Sequence, residues 1–421
     1  MSPNTRMMPV SSQVKDNHLW IGGCDTTRLA EEWGTPLWVM DQATIEASAE
    51  ALKQGLSTYP SAQALYAGKA FMCLALARLT KRLGMGLDVV SEGELYTALK
   101  AGVPPENIYM HGNNKSRVEL EMAVDNPGVT IIVDGHGELD LIIELAKNTT
   151  RPIDIMVRVT PGVEPDTHEY IKTGHDESKF GIGLKEVVAF VEKALKHKAI
   201  VNFVGLHAHI GSQSLALEPY LDLVEVMANL AEKIKKELEI SIEKLNLGGG
   251  LGIVYVEENK PLPLYEWSKA LSEKVASAFP ERGLTLPTLL LEPGRAIVGS
   301  AGVTLYKCGQ EKTFESGKRI LALDGGMADN PRPATYNASY TACLANRMDS
   351  QKANHEVELV GRYCESGDII IKDAQIAAQK GDLEGVFASG AYHYSRASNN
   401  NRTSRPACVL VKDGEAELIV K

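Results

Sequence analysis

Thr288-Leu289-Leu290-Leu291-Glu292-Pro293-Gly294-Arg295 is a short apolar run closed by an acid and a turn. An unbroken apolar run bounded by turn residues reads as a strand buried on both faces, the kind found in parallel sheets. The acid stands at the carboxyl end of that strand, and seven earlier apolar runs likewise have a polar residue or a glycine turn at or near their carboxyl ends. Strands are read at Ala64–Ala67, Leu87–Val90, Ile108–Met110, Thr130–Val133, Ile153–Val159, Phe203–Ala208 and Lys244–Leu247. Their carboxyl ends offer, in order, Lys69, Asp88, His111, Asp134, Arg158, His209 and Gly248–Gly250. Between them lie Glu92–Ala101, Glu138–Lys147, Leu184–Lys196 and Leu217–Leu238, with apolar residues at helical spacing. Eight alternating units predict a closed (β/α)8 barrel, an α/β fold whose active site is assembled at the carboxyl ends of its strands. A doubly wound open sheet is the competitor. One polar residue at a strand end would not separate the two, but all eight strands offering one favours the barrel.

Outward from this core the pattern changes. From residue 303 onward the chain shows short β-type runs at Arg319–Leu323, Glu356–Gly361, Asp368–Ile371, Leu383–Phe387, Ala407–Val411 and Ala416–Val420, with few helix signals. This predicts a barrel domain over residues 45–302 and a β domain over 303–421. The N-terminal segment 1–44 carries an extended Thr35-Pro36-Leu37-Trp38-Val39-Met40 that is expected to join the second domain's sheet.

Bulk properties exclude some functions. A chain of 421 residues, 44% hydrophobic and 23% charged, has ample material for a large core. A formal charge of −10 and no long basic run argue against nucleic acid or an anionic membrane as partner. No apolar stretch reaches the roughly 18 residues that span a bilayer, and the N-terminus lacks an apolar leader core, so a cytoplasmic location is expected. The six cysteines form no C-x-x-C pair, which fits a reducing compartment better than a disulfide framework or structural zinc site.

Four motifs carry chemistry. Lys69, in Tyr66-Ala67-Gly68-Lys69-Ala70, would at a barrel mouth lose water around its ammonium, so that the amine could attack an aldehyde. The contiguous Gly248-Gly249-Gly250 lets backbone N–H groups wrap an anion, or forms only a tight turn; it lacks dinucleotide spacing. Glu292 can pair with a protonated pyridine nitrogen, while Gly294 and Arg295 add an N–H and a guanidinium for an anion. In His207-Ala208-His209-Ile210-Gly211-Ser212-Gln213 two histidines two apart suggest metal, but no third ligand is evident, so no metal is expected. An imidazole stacked on an aromatic cofactor, with Ser212 on a phosphate, fits better. Cys364, in Cys364-Glu365-Ser366-Gly367-Asp368, is expected in a loop.

Taken together these stretches resemble the fold-type III pyridoxal-phosphate-dependent decarboxylases, and among them the diaminopimelate decarboxylases. The resemblance runs from about Thr35 to Val411. It includes Leu87-Asp88-Val89-Val90-Ser91-Glu92-Gly93-Glu94, His111-Gly112-Asn113-Asn114-Lys115-Ser116, His168-Glu169-Tyr170-Ile171-Lys172-Thr173-Gly174, Ser178-Lys179-Phe180-Gly181, Arg332-Pro333 and Gly390-Ala391-Tyr392. It implies an alanine-racemase-like barrel with a β domain and pyridoxal 5'-phosphate held as a Schiff base on Lys69. Asp88, His209, Ser212, Gly250, Glu292, Gly294, Arg295 and Tyr392 would then contact the cofactor. It also implies a homodimer with shared active sites, in which Cys364 protonates the carbanion in the neighbouring subunit's site.

Charge narrows the substrate. Meso-2,6-diaminopimelate carries an amine and a carboxylate at its distal end, which Glu365 and the set Arg295, Arg332 and Tyr336, with Tyr392 nearby, are suited to pair. Decarboxylases of lysine, ornithine, arginine or carboxynorspermidine are the alternatives, and an inactive regulatory homologue is a further one. A racemase is disfavoured because its pyridine faces arginine, whereas Glu292 is an acid. One departure stands out: Arg396 and Asn400 occupy positions where the family usually shows Met and Tyr, and His393 is also unusual. Surface drift or a changed substrate contact would account for them.

Overall fold

The computed structural model describes residues 2–163 and 178–421, so the quoted His168–Gly174 lies outside the described residues. Two compact units are formed. One comprises Ala49–Gly252 and Leu264–Gly294; the other comprises Met1–Ser48, Ile253–Pro263 and Arg295–Lys421.

The first unit is the barrel. Its strands are β1 (Ala62–Ala67), β2 (Gly86–Val89), β3 (Ile108–Met110), β4 (Thr130–Val133), β5 (Ile153–Thr160), β6 (Val201–Ala208), β7 (Lys244–Asn246) and β8 (Thr288–Leu291). All neighbours are parallel, and the cylinder closes where Leu289 of β8 pairs with Ala62 of β1. Closure explains the sequence pattern: every residue of β2, β3 and β4 is buried, so these strands run apolar without alternation. Leu65, Tyr109, Ile132, Met156, Val204 and Leu290, each from a different strand, form one cluster that packs the interior. The helices between strands are capped as their sequences dictate; Ser116 and Glu119 form a reciprocal capping box at Arg117–Val124.

The second unit is built on a strand from Gly302 to Thr313, flanked by Leu37–Asp41 on one side and Arg319–Leu323 on the other. The N-terminal strand Leu37–Asp41 does join this sheet, antiparallel to Gly302–Thr313 and parallel to Ala407–Lys412. Here the apolar period is two: Leu37 and Val39, Val303 and Leu305, Val409 and Val411 all enter one core. Sequence reading overlooked the twelve-residue Gly302–Thr313 strand because its alternation fades into exposed Gln310, Glu311 and Lys312. It also overlooked Ala342–Leu344 and the short helix Arg332–Tyr336. Residues 45–48, 253–263 and 295–302 fall in the β unit, whereas the barrel was expected to run unbroken over 45–302.

Candidate active site

The carboxyl ends of the barrel strands gather the ionisable groups. Lys69 sits in the single helical turn Gly68–Ala70 that follows β1, and its Nζ lies 3.3 Å from Asp88 Oδ2 on β2. The lysine side chain is 39% exposed, so the loss of water expected around it is only partial, and a buried carboxylate is its close ionic neighbour instead. A third group comes from the following helix. Ser91 caps Glu92–Lys100 by accepting the Glu94 N–H, and the Glu94 carboxylate turns back to accept the Val90 N–H at 2.8 Å. Burial, with Asp88 nearby, pushes the Glu94 carboxyl up to about 7. Glu94 carries no chemical signature in the sequence beyond the S-x-x-E spacing from Ser91 that places it.

On the adjoining strand, Glu292 is buried just after β8. Its Oε1 accepts from Asn246 Nδ2 at 2.5 Å and lies 2.9 Å from His111 Nε2, while Oε2 is 3.3 Å from His207 Nε2. His207 and His111 meet edge to face at 4.7 Å between ring centroids. The further ligand-type groups that sequence reading did not find around His207 thus come from β3 and β8: the atoms of His111, His207 and Glu292 lie within 4.8 Å of one another. Burial, unopposed by a close acid strong enough to offset it, holds the His207 imidazolium down at about 3, so this ring is neutral. Glu292, despite burial that works against charge, is held well below the usual carboxylate range by the imidazoles around it.

His209 points elsewhere. Its Nδ1 accepts the Gly249 N–H at 3.3 Å, which puts the ring hydrogen on Nε2 and fixes the plane of the ring. The glycine turn beyond β7 tolerates nothing larger. A Cβ on Gly249 would stand 2.1 Å from the Glu292 carbonyl oxygen, and one on Gly250, whose φ is +101°, 2.0 Å from the Gly211 carbonyl oxygen. Ser212 is exposed in the turn after β6. An amine beside a carboxylate, a caged anionic acid, a fixed imidazole and a glycine cradle suit a phosphorylated heterocyclic aldehyde.

In the β unit a second cluster forms. Arg295 donates to the Tyr255 phenol and its guanidinium lies 4.7 Å from the Tyr392 ring centroid. Arg332 donates to Tyr340 at 2.6 Å and stacks 4.8 Å from Tyr255. Arg396 donates to Tyr336 at 2.6 Å. Of the residues expected here, Arg295, Arg332, Tyr336 and Tyr392 are therefore brought together, and Arg396 and Tyr255 join them. His393 is buried against Tyr340, its imidazolium pushed down to about 3 by burial and by Arg332.

Cys364 and Glu365 are both exposed in a tight loop, as the sequence suggested for the cysteine. Asp368, 3% exposed, organises it: its carboxylate accepts the Met327 N–H at 2.6 Å and the Tyr363 N–H at 2.9 Å.

Comparison with known proteins gives consistent results. The family described as "Pyridoxal-dependent decarboxylase, pyridoxal binding domain" matches residues 42–299. The chain is 42% identical to diaminopimelate decarboxylase of Synechocystis sp., covering 100% of this chain and 91% of that protein. It is 43% identical to the Bacillus subtilis diaminopimelate decarboxylase over 98% and 94%. Among solved structures, the M. jannaschii diaminopimelate decarboxylase in complex with L-lysine superposes with a TM-score of 0.91 at 33% identity, covering 100% of this chain and 96% of that one. Among the described residues no helix is long and apolar enough to cross a membrane.

Proposed function

This chain belongs to the pyridoxal-dependent decarboxylases, and from that premise we propose that it converts meso-2,6-diaminopimelate to L-lysine and carbon dioxide with pyridoxal 5'-phosphate as cofactor. The observation that carries the reading is the pairing of Lys69 with Asp88 beside a caged, charged Glu292 on the adjoining strand of one barrel mouth. When bound, the cofactor supplies an aldehyde that captures amines and an electron sink for the carbon that loses its carboxylate.

The chain's own residues do the rest. Lys69 holds the cofactor, and Asp88 balances the lysine's charge between turnovers. Glu94, poised near neutrality, holds or yields a proton beside that amine. His209 lies flat against the ring, its plane set by the Gly249 N–H. Ser212, Gly250, Gly294 and Arg295 take the phosphate, Glu292 the ring nitrogen, and Tyr392 a further cofactor and substrate contact. Arg295, Arg332 and Tyr336 grip the distal carboxylate and Glu365 the distal ammonium. Cys364 returns a proton to the α-carbon after carbon dioxide leaves. The barrel unit, Ala49–Gly252 with Leu264–Gly294, is the cofactor domain, and the β unit completes the protomer. The active assembly is a homodimer in which the Cys364–Glu365 loop serves the neighbouring subunit; its rigid anchoring by Asp368, with both side chains left exposed, supports this.

A decarboxylation panel tests the reading. Carbon dioxide release is measured with meso-diaminopimelate, lysine, ornithine, arginine and carboxynorspermidine. The highest kcat/KM belongs to meso-diaminopimelate; a higher value for any of the others would overturn the assignment.

A further inference from the structure

Glu292 is not simply a carboxylate in a pocket; its orientation is set from two other strands, its neighbour β7 and the more distant β3. Asn246, fully buried as the last residue of β7, accepts the Gly248 N–H on its Oδ1 at 2.8 Å. A backbone N–H can only donate, so the amide cannot be flipped and Nδ2 must face Glu292 Oε1. The Glu292 backbone is tied to the same turn, its N–H donating to the Gly248 carbonyl at 2.7 Å. His111, just after β3, is fixed by its own N–H donating to the Val89 carbonyl at 2.8 Å, and brings Nε2 to within 2.9 Å of the same Oε1. With one donor already on Oε1, an ionised carboxylate accepts the second on its remaining lone pair, which places a hydrogen on His111 Nε2.

We propose that Asn246 and His111 are positioning residues: they occupy both acceptor positions of Glu292 Oε1, lock the side chain, and leave Oε2, whose one close protein neighbour among the described residues is His207 Nε2 at 3.3 Å, as the oxygen that meets the cofactor's ring nitrogen. The inference rests on the proposed pairing of Glu292 with that nitrogen and extends it to the residues that make the pairing one-sided. It also accounts for an otherwise costly feature, since two polar side chains are buried at the top of a barrel whose interior is Leu, Ile, Met, Val and one Tyr. Burial alone would drive Glu292 toward its neutral form, and a neutral acid would let the ring nitrogen lose its proton and weaken the electron sink.

The test uses holoenzyme reconstituted with cofactor carrying 15N at the ring nitrogen, whose chemical shift separates pyridinium from pyridine. Wild type is expected at the pyridinium position and Glu292→Gln at the neutral one. His111→Phe and Asn246→Leu are expected to move toward neutral, with kcat lower by about 10–100-fold and KM changed far less, the usual scale for outer-shell partners. His111→Gln, which restores a donor at the same place, is expected to bring the signal back. The Phe and Gln pair at one site separates the effect from a folding defect. If Glu292→Gln moves the signal but neither His111→Phe nor Asn246→Leu does, the inference fails and the Glu292 pairing stands. If Glu292→Gln leaves the signal in place, both fail.

Discussion

The Arg396 guanidinium donates to the Tyr336 phenol oxygen at 2.6 Å while lying 5.3 Å from the Tyr392 ring centroid. That bond, with Arg332 and Arg295 also near, holds the Tyr336 phenol below its usual range. Arg396 is where the resemblance breaks, and it joins the tyrosines assigned to substrate rather than drifting away from them. Among the described residues neither Arg332 nor Arg396 forms an ion pair with a carboxylate. The cluster is therefore rich in positive charge, as a site for a second substrate carboxylate requires.

Arg332→Ala is expected to raise KM for meso-diaminopimelate by about 10–100-fold, the scale of one charged hydrogen bond, with cofactor affinity nearly unchanged. Arg396→Met is expected to act in the same direction but by less than about tenfold, because the side chain is exposed. Steady-state kinetics beside a cofactor titration check both; equal losses of substrate and cofactor affinity would remove Arg332 from distal recognition.

Cys364→Ala is expected to bind cofactor normally and to slow product formation by about 10²–10⁴, the range of a lost general acid. Single-turnover release of lysine measures it. Unchanged release would mean that another group delivers the proton.

Lys69→Ala is expected to abolish both turnover and the near-visible absorbance that borohydride removes from the reconstituted wild type. A variant that kept its turnover would take the lysine out of its role.

Glu384 offers a prediction on stability. It is fully buried in the β unit, where Cys308 Sγ lies 3.8 Å from Oε2, and burial pushes its carboxyl up to about 8. The folded state thus holds a proton that the unfolded chain releases near its ordinary value of 4.5, so the contribution of Glu384 to stability is fully present below that pH. It is lost as pH rises from about 4.5 to about 8, by roughly 2–3 kcal/mol between pH 6 and 9. Glu94 and Asp329, both raised to about 7, add to the same trend. Denaturant unfolding of wild type and Glu384→Gln across that range isolates Glu384: the variant is expected to lose less stability with rising pH, and parallel curves would contradict it.

Much of the site was legible along the chain. Lys69, Asp88 and Glu292 end or follow strands whose apolar runs are nearly continuous, because closing the barrel buries both faces; strand ends in such runs can be counted. Glu94 was half legible through its helix cap. Asn246 was not, since an asparagine within a strand end carries no signal until β8 arrives beside it. The missed Gly302–Thr313 strand has the same origin: half of it is exposed, and only pairing with Leu37–Asp41 and Arg319–Leu323 makes it a strand.

The order of apolar runs and glycines determined the barrel, the β domain and the strand ends that gather the ionisable groups, because local periodicity and backbone freedom are properties of neighbours in the chain. Tertiary structure alone decided which groups touch. Asn246 and His111 reach one oxygen of Glu292 from strands far apart in sequence, and the state of that carboxylate follows from burial and donors converging in space, which no local pattern records.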